Sequence, residues 1–245
     1  MLQPLHAALH PPFRWIARQE AVVLLTALGI VVTLYGFIEI AEEMRSGDMR
    51  HFDQSLLRAL RSPDDVRVPI GPAWLPEMMT EVTALGGTAV ILVVLLFSVG
   101  YLALEGRYGA AVLVIVASAG GGLMSVGLKQ LFARGRPDVV PHLITVESLS
   151  FPSGHSMATA VIYLTLGALL ARFSVRRRSR IYVIGLALAV TFLVGITRVF
   201  LGVHYPSDVL AGWAAGLGWA LICWLVARYL QSRGAVEAPG RPASG

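Results

Sequence analysis

The feature that most limits what this chain can become is a series of long apolar runs with almost no charge in them. Runs over about 21–39, 86–104, 110–130, 155–171, 181–199 and 207–229 each approach the roughly twenty residues an α-helix needs to cross a hydrocarbon core. In lipid the backbone must satisfy its own polar groups, and a helix does so within one segment. Charged residues make up only 14% of the 245, against about a quarter in a soluble domain. The expected fold is all-α: a polytopic membrane protein with one six-transmembrane-helix bundle. A cytoplasmic lead is expected over 1–20, the six-span domain over 21–230, and a disordered cytoplasmic tail rich in Pro, Gly, Ala and Ser over 231–245. The first run is long and gives way to Glu39-Ile-Ala-Glu-Glu43 without a small-residue cleavage site, so it reads as an uncleaved span.

Two connectors are too polar to cross, 40–83 and 131–153. In the first, Phe52, Leu56, Leu57 and Leu60 share a helical face with charges opposite, and Trp74, Leu75, Met78, Met79 and Val82 repeat the pattern. They are expected to be short helices, either interfacial and roofing the bundle or ordinary packed loop helices. Gly120-Gly-Gly122, Gly127, Gly212 and Gly216 let helices approach closely in lipid. Cys223 is the one cysteine, so no internal disulfide can form, and it is assigned to packing.

Charge sets the orientation. The lead, the turn 105–109, the turn 172–180 and the end of the last run with the tail hold 11 arginines against Glu20, Glu105 and Glu237. The rest of the chain holds nine basic and twelve acidic residues. Positive residues stay inside, which places both termini in the cytoplasm. The five arginines of 172–180 serve this topology and also suit anionic headgroups.

Six spans of alternating direction then bring scattered ionisable residues to one face. Lys129 ends the third span, His155 begins the fourth, Arg198 ends the fifth and Asp208 opens the sixth. All four fall at the outer edge, with Arg134, Arg136, Ser153, Gly154 and His204. Ionisable groups at such junctions are rarely without a use. Pro206 suits the first position of a helix, and that would put His204 and Asp208, four apart, on one face. A carboxylate there fixes the imidazole's tautomer and favours its cationic form. The alternative is a polar helix cap with a surface arginine. Lys129, Arg136 and Arg198 suit phosphate oxygens, Arg by its planar fork and Lys as a point charge. Ser153 and Gly154 stand at an expected helix start, where backbone N–H groups and the dipole favour an anion. Two histidines add chemistry to binding: His204 to attack phosphorus, His155 to protonate the leaving oxygen.

Lys129-x6-Arg136-Pro137, Pro152-Ser153-Gly154-His155 and Thr197-Arg198-x5-His204-x3-Asp208 resemble, in order and spacing, the three signatures of the type 2 phosphatidic acid phosphatase superfamily. That family includes membrane lipid phosphatases, bacterial undecaprenyl-diphosphate and phosphatidylglycerophosphate phosphatases, glucose-6-phosphatase, soluble acid phosphatases and vanadium haloperoxidases. The resemblance implies that Lys129, Arg136, Ser153, Gly154 and Arg198 bind phosphate. It implies His155 as acid, His204 as nucleophile through a phosphohistidine, and Asp208 as its partner, with no metal and no cofactor. Thr197 stands where serine is frequent and keeps the hydroxyl. Arg134 lies outside the signatures, as an entrance charge or a solvated arginine. His6, His10, His51 and His142 receive no role.

The expected activity is hydrolysis of a lipid phosphate or diphosphate at the extracytoplasmic face of a bacterial inner membrane. Undecaprenyl diphosphate leads, then phosphatidylglycerophosphate and phosphatidic acid. Phosphotransfer to an alcohol and noncatalytic lipid-phosphate binding or transport are the alternatives. The expected partners are the substrate and membrane lipids, with no obligate protein partner. Nucleic acid is excluded because no basic patch is interleaved with aromatics.

Overall fold

The computed structural model describes residues 11–232. Of the expected lead over 1–20 and tail over 231–245, residues 1–10 and 233–245 lie outside the described residues, while 11–20 belong to α1 and 231–232 to α8. The described chain forms α1 (Pro11–Ser46), α2 (Arg50–Ala59), α3 (Leu75–Thr83), a 3-10 turn (Ala84–Gly86), α4 (Thr88–Leu104), α5 (Tyr108–Phe132), α6 (Gly154–Phe173), α7 (Arg177–Phe200) and α8 (Pro206–Ser232). Five helices, α1 and α5 to α8, are long and apolar enough to cross a membrane. A sixth apolar stretch of sufficient length is a bent pair, α3 with its 3-10 turn and then α4, which meet at 45°. The fold is the all-α membrane bundle that the apolar runs predict, with α2 and α3 as the short helices of the first connector.

The helices depart from the apolar runs in two places. Helix α1 continues to Ser46, through Glu39, Glu42 and Glu43, where the polar residues suggested a connector from residue 40. Intrahelical hydrogen bonding does not require apolar side chains, so the helix outlasts its lipid-facing stretch. Span and short helix also merge at 75–104, because Gly86 and Gly87 bend the chain without separating its halves.

Helix α6 lies at the centre, against α5, α7, α8 and the 3-10 turn. Over its most apolar stretch 56% of the residues are buried, against none for that of α1, which packs on α8 along one side and buries Ala41 near its end. Close packing of α8 on α6 needs glycine. A Cβ on Gly212 would stand 2.7 Å from the Ser153 carbonyl oxygen, and one on Gly216 would stand 2.6 Å from that of Met157. At one end of the bundle Leu57, Val140, Val199 and Val209 form a buried cluster that joins α2, the second connector, α7 and α8. Phe151 and Ala211 bury beside Phe37 and Phe132 from α1 and α5. These clusters fix the loops that carry the polar residues.

Candidate active site

Helix α8 starts at Pro206, whose fixed φ and missing N–H suit a first helical position. Asp208 therefore sits in the first turn, fully buried, and reaches back to accept from the Tyr205 N–H at 2.9 Å. This is the return half of a capping box. The same carboxylate oxygen, Oδ2, lies 3.4 Å from His204 Nδ1 and accepts from the Ser150 hydroxyl. Ser150 Oγ is also 3.3 Å from Nδ1. Nδ1 thus carries the ring proton and Nε2 is left with its lone pair. Nε2 faces Arg136, whose Nη1 is 3.3 Å away.

His204 lies in the loop between α7 and α8 and is 2% exposed. Its pKa is lowered from 6.5 to about 4. Burial is the main cause. The Asp208 hydrogen bond and charge work in the other direction, and Arg198 and Arg136 reinforce the lowering. The expectation that Asp208 would favour imidazolium names one real force, but burial outweighs it. The resting ring is neutral, the form a nucleophile requires.

Three cations gather at the site, and Arg136 is the one that faces Nε2. Arg136 donates to the carbonyls of Val203 (2.5 Å) and Ser148 (2.6 Å) and to Ser148 Oγ (3.0 Å). Lys129 donates to the Leu149 carbonyl and lies within Coulombic reach of Arg136, Arg198 and Asp208. Arg198 is 2% exposed; its Nη1 donates to Thr83 Oγ1 at 3.0 Å and its Nε has no partner. Among the described residues, none of the three forms an ion pair. A buried guanidinium without a counter-ion is costly unless an anion completes it.

His155 opens α6 one residue after Gly154 and lies within Coulombic reach of Arg198, His204, Arg136 and Lys129. The sequence-predicted residues of four segments are thus brought together. The Lys129 side chain lies beside Gly154, 3.6 Å from where a Cβ would stand. Ser153 caps α6, its hydroxyl accepting from Ser156 N–H. The Ser153 N–H itself donates to the Asp208 carbonyl at 2.9 Å, so α6 offers an anion the N–H groups of Gly154 and His155.

Four residues escaped the sequence reading. Thr83 holds Arg198, and Ser150 holds Asp208. Gly86 makes room for His155, whose Cδ2 would lie 3.1 Å from a Cβ there. Asp53, placed by the sequence on the charged face of a connector helix, is fully buried, whereas Phe52 and Leu56 are exposed. The available signal was Asp53's spacing of four from Leu57, which is also fully buried. Arg134 is no free solvated arginine: part-buried, with its side chain 16% exposed, it bridges Asp53 at 2.8 Å and Asp208 at 2.6 Å. No cluster of three or more His, Cys, Asp or Glu side chains occurs among the described residues, and the donor set gathered here is cationic.

Residues 109–232 match a family model described as the PAP2 superfamily. Phosphatidylglycerophosphatase B of Bacillus subtilis (strain 168) is 32% identical over 185 residues, covering 74% of this chain and 86% of that protein. Lipid A 1-phosphatase of Rhizobium etli is 35% identical over 107 residues, covering 40% of this chain and 41% of its own length. The solved transmembrane PAP2 type phosphatidylglycerolphosphate phosphatase from Bacillus subtilis superposes with a TM-score of 0.74 at 26% identity, covering 86% of this chain and 98% of that one.

Proposed function

The chain belongs to the PAP2 superfamily of membrane lipid phosphatases, and from that premise we propose a phosphohistidine mechanism on a terminal lipid phosphate or diphosphate. The observation that carries it is a buried, neutral imidazole whose Nε2 faces Arg136, with Arg198 and Lys129, which also form no ion pair among the described residues, within Coulombic reach of Arg136. Lys129, Arg136 and Arg198, with the first N–H groups of α6, bind the phosphoryl oxygens and stabilise the charge that spreads over them in the transition state. Ser153 completes this binding set with its hydroxyl.

His204 Nε2 attacks phosphorus as the bond to the leaving oxygen breaks, and His155 gives that oxygen its proton. A phosphomonoester releases the lipid alcohol; a diphosphate releases the lipid monophosphate. Asp208 supports the positive ring by holding Nδ1–H. Water then gives a proton to His155 and attacks phosphorus, the P–N bond breaks, and inorganic phosphate leaves. No metal enters this scheme.

A cavity of about 600 Å³ supports an amphiphilic substrate. His155, Gly154 and Ser148 line its polar end, while Ile91, Leu92, Leu95 and Ile115 of α4 and α5 line the rest. The tail would lie there with its phosphate at the cations. The similarity to the Bacillus phosphatidylglycerophosphatase favours phosphatidylglycerophosphate. Undecaprenyl diphosphate, the reading the sequence put first, is the second candidate because its terminal phosphoryl group meets the same chemistry. The arginine-rich turns favour a site on the extracytoplasmic face of a bacterial inner membrane.

The test is phosphate release in nanodiscs with chelator present, over phosphatidylglycerophosphate, undecaprenyl diphosphate, phosphatidic acid and a sugar phosphate. His204→Ala should reduce release to background with the fold retained; normal turnover would refute the covalent step. His155→Ala should lose about 100- to 10,000-fold on a poor leaving group and much less on an activated aryl phosphate. Equal losses on both would remove the general-acid role.

A further inference from the structure

We propose that Asp53 and Arg134 form a buried charge brace that positions Asp208 and sets how strongly it acts on His204. The inference rests on the reading of His204 as the reacting residue.

The geometry begins with the start of α8. Pro206 gives the helix no N–H to cap, and Tyr205 before it has no short side chain that can fold back as an N-cap. Asp53, on α2, supplies the cap from 154 positions away. Its Oδ1 accepts from the Ser207 N–H at 2.9 Å, and its Oδ2 accepts from the Ser207 hydroxyl at 2.6 Å. Arg134 closes the network: Nη2 donates to Asp53 Oδ2 at 2.8 Å, and Nη1 donates to Ser207 Oγ at 2.8 Å and to Asp208 Oδ1 at 2.6 Å. The guanidinium also lies 4.2 Å over the Tyr205 ring.

Two consequences follow. Arg134 occupies Asp208 Oδ1, so Oδ2 is the oxygen turned to His204. Rotation of the carboxylate would break the Arg134 bond and leave a buried charge short of a partner. The charges also nearly balance. Arg134 alone would mute Asp208, and Asp53 offsets Arg134, so the triad keeps one net negative charge beside the ring. The other charged groups facing His204 are Arg136 from the second connector and Arg198 from α7, with His155 from α6 and Lys129 from α5 nearby. All of these are basic residues, so the brace's negative charge acts against them. Asp53 and Arg134 touch neither ring nor substrate; both are positioning residues.

Opposite charge changes give opposite signs, which loss of fold cannot mimic. In Arg134→Gln, His204 should take up its proton at higher pH than in the parent. In Asp53→Asn it should do so at lower pH. Each shift should reach at least about half a pH unit, since charges a few ångströms away move a titration by about one to three. The readout is the ¹⁵N titration of His204 in the detergent-purified full chain, with the acid limb of kcat/KM beside it. Both variants should lose kcat by tenfold or more with KM changed less than threefold. Arg67→Gln, which breaks an exposed ion pair with Asp65, is the control and should move neither.

Unmoved titrations, or shifts of the same sign in both variants, would overturn the proposal. The titration needs no turnover, so a chain that hydrolyses no lipid phosphate would refute the function while leaving this test readable. If either variant fails to fold, Asp53→Glu and Arg134→Lys keep the charges and change the reach. A tenfold loss of kcat without a shift then supports the brace, and unchanged kcat refutes it.

Discussion

His204 shows how one environment decides what a residue can do. Free imidazole titrates near 6.5, and burial holds this one near 4 against the pull of Asp208. The sign is direct: the unfolded chain binds a proton that the folded ring refuses. Any stability contributed by the neutral ring is present above about 6.5 and is lost as pH falls toward 4. Activity should follow the same group. The acid limb of kcat/KM, measured with a substrate whose own ionisation has been separated, should lie well below 6.5. A limb at 6.5 or above would mean that the ring is solvated in the working enzyme. Arg198 is buried with its Nε unmet, and on the proposed function a phosphoryl oxygen completes it.

At the scale of elements, the contact between α6 and α8 sets the site. Ser153, which caps α6, donates its N–H to Asp208 of α8 across this contact. A methyl at Gly212 would meet the Ser153 carbonyl oxygen at 2.7 Å and Ser156 Cβ at 3.0 Å. Gly212→Ala should therefore cost about 1–3 kcal/mol of stability in detergent unfolding and lower kcat as well, because separating the helices moves the histidine loop. Gly127→Ala is the contrast. It meets nothing within 4 Å and should be neutral or stabilising by up to about 1 kcal/mol through helix propensity. Equal effects at the two positions would mean that α6 and α8 do not pack this closely. The apolar pattern foretold both glycine-bearing helices and the close approach at 212 and 216. It did not foretell the 45° bend between α3 with its 3-10 turn and α4, because a bend at Gly86 and Gly87 leaves hydropathy unchanged.

The whole molecule ties a cationic pocket to an apolar groove. If a lipid tail uses the cavity between α4, α5 and α6, filling it should separate lipid from soluble substrates. Gly122 lines this cavity and a Cβ there meets nothing within 4 Å. Gly122→Phe should lower kcat/KM for a long-chain lipid phosphate about tenfold and leave an aryl phosphate within twofold. Equal effects on both would place the tail elsewhere. The first connector has a clear task at this scale: α2 caps α8 through Asp53, and α3 holds Arg198 through Thr83.

The amino-acid sequence alone determined the class of fold, the crossings and the residues that meet at one end of the bundle. Those follow from local length, hydropathy and alternating direction, and the spacing of the three signatures lies within single segments or short loops. Only the tertiary structure decided which charges are paired. Asp53 and Arg134 looked solvated because each sits in a polar connector, yet they join Ser207 and Asp208 inside the protein. A buried ion pair leaves no period in a sequence, since its stability depends on partners that folding brings together across the whole chain.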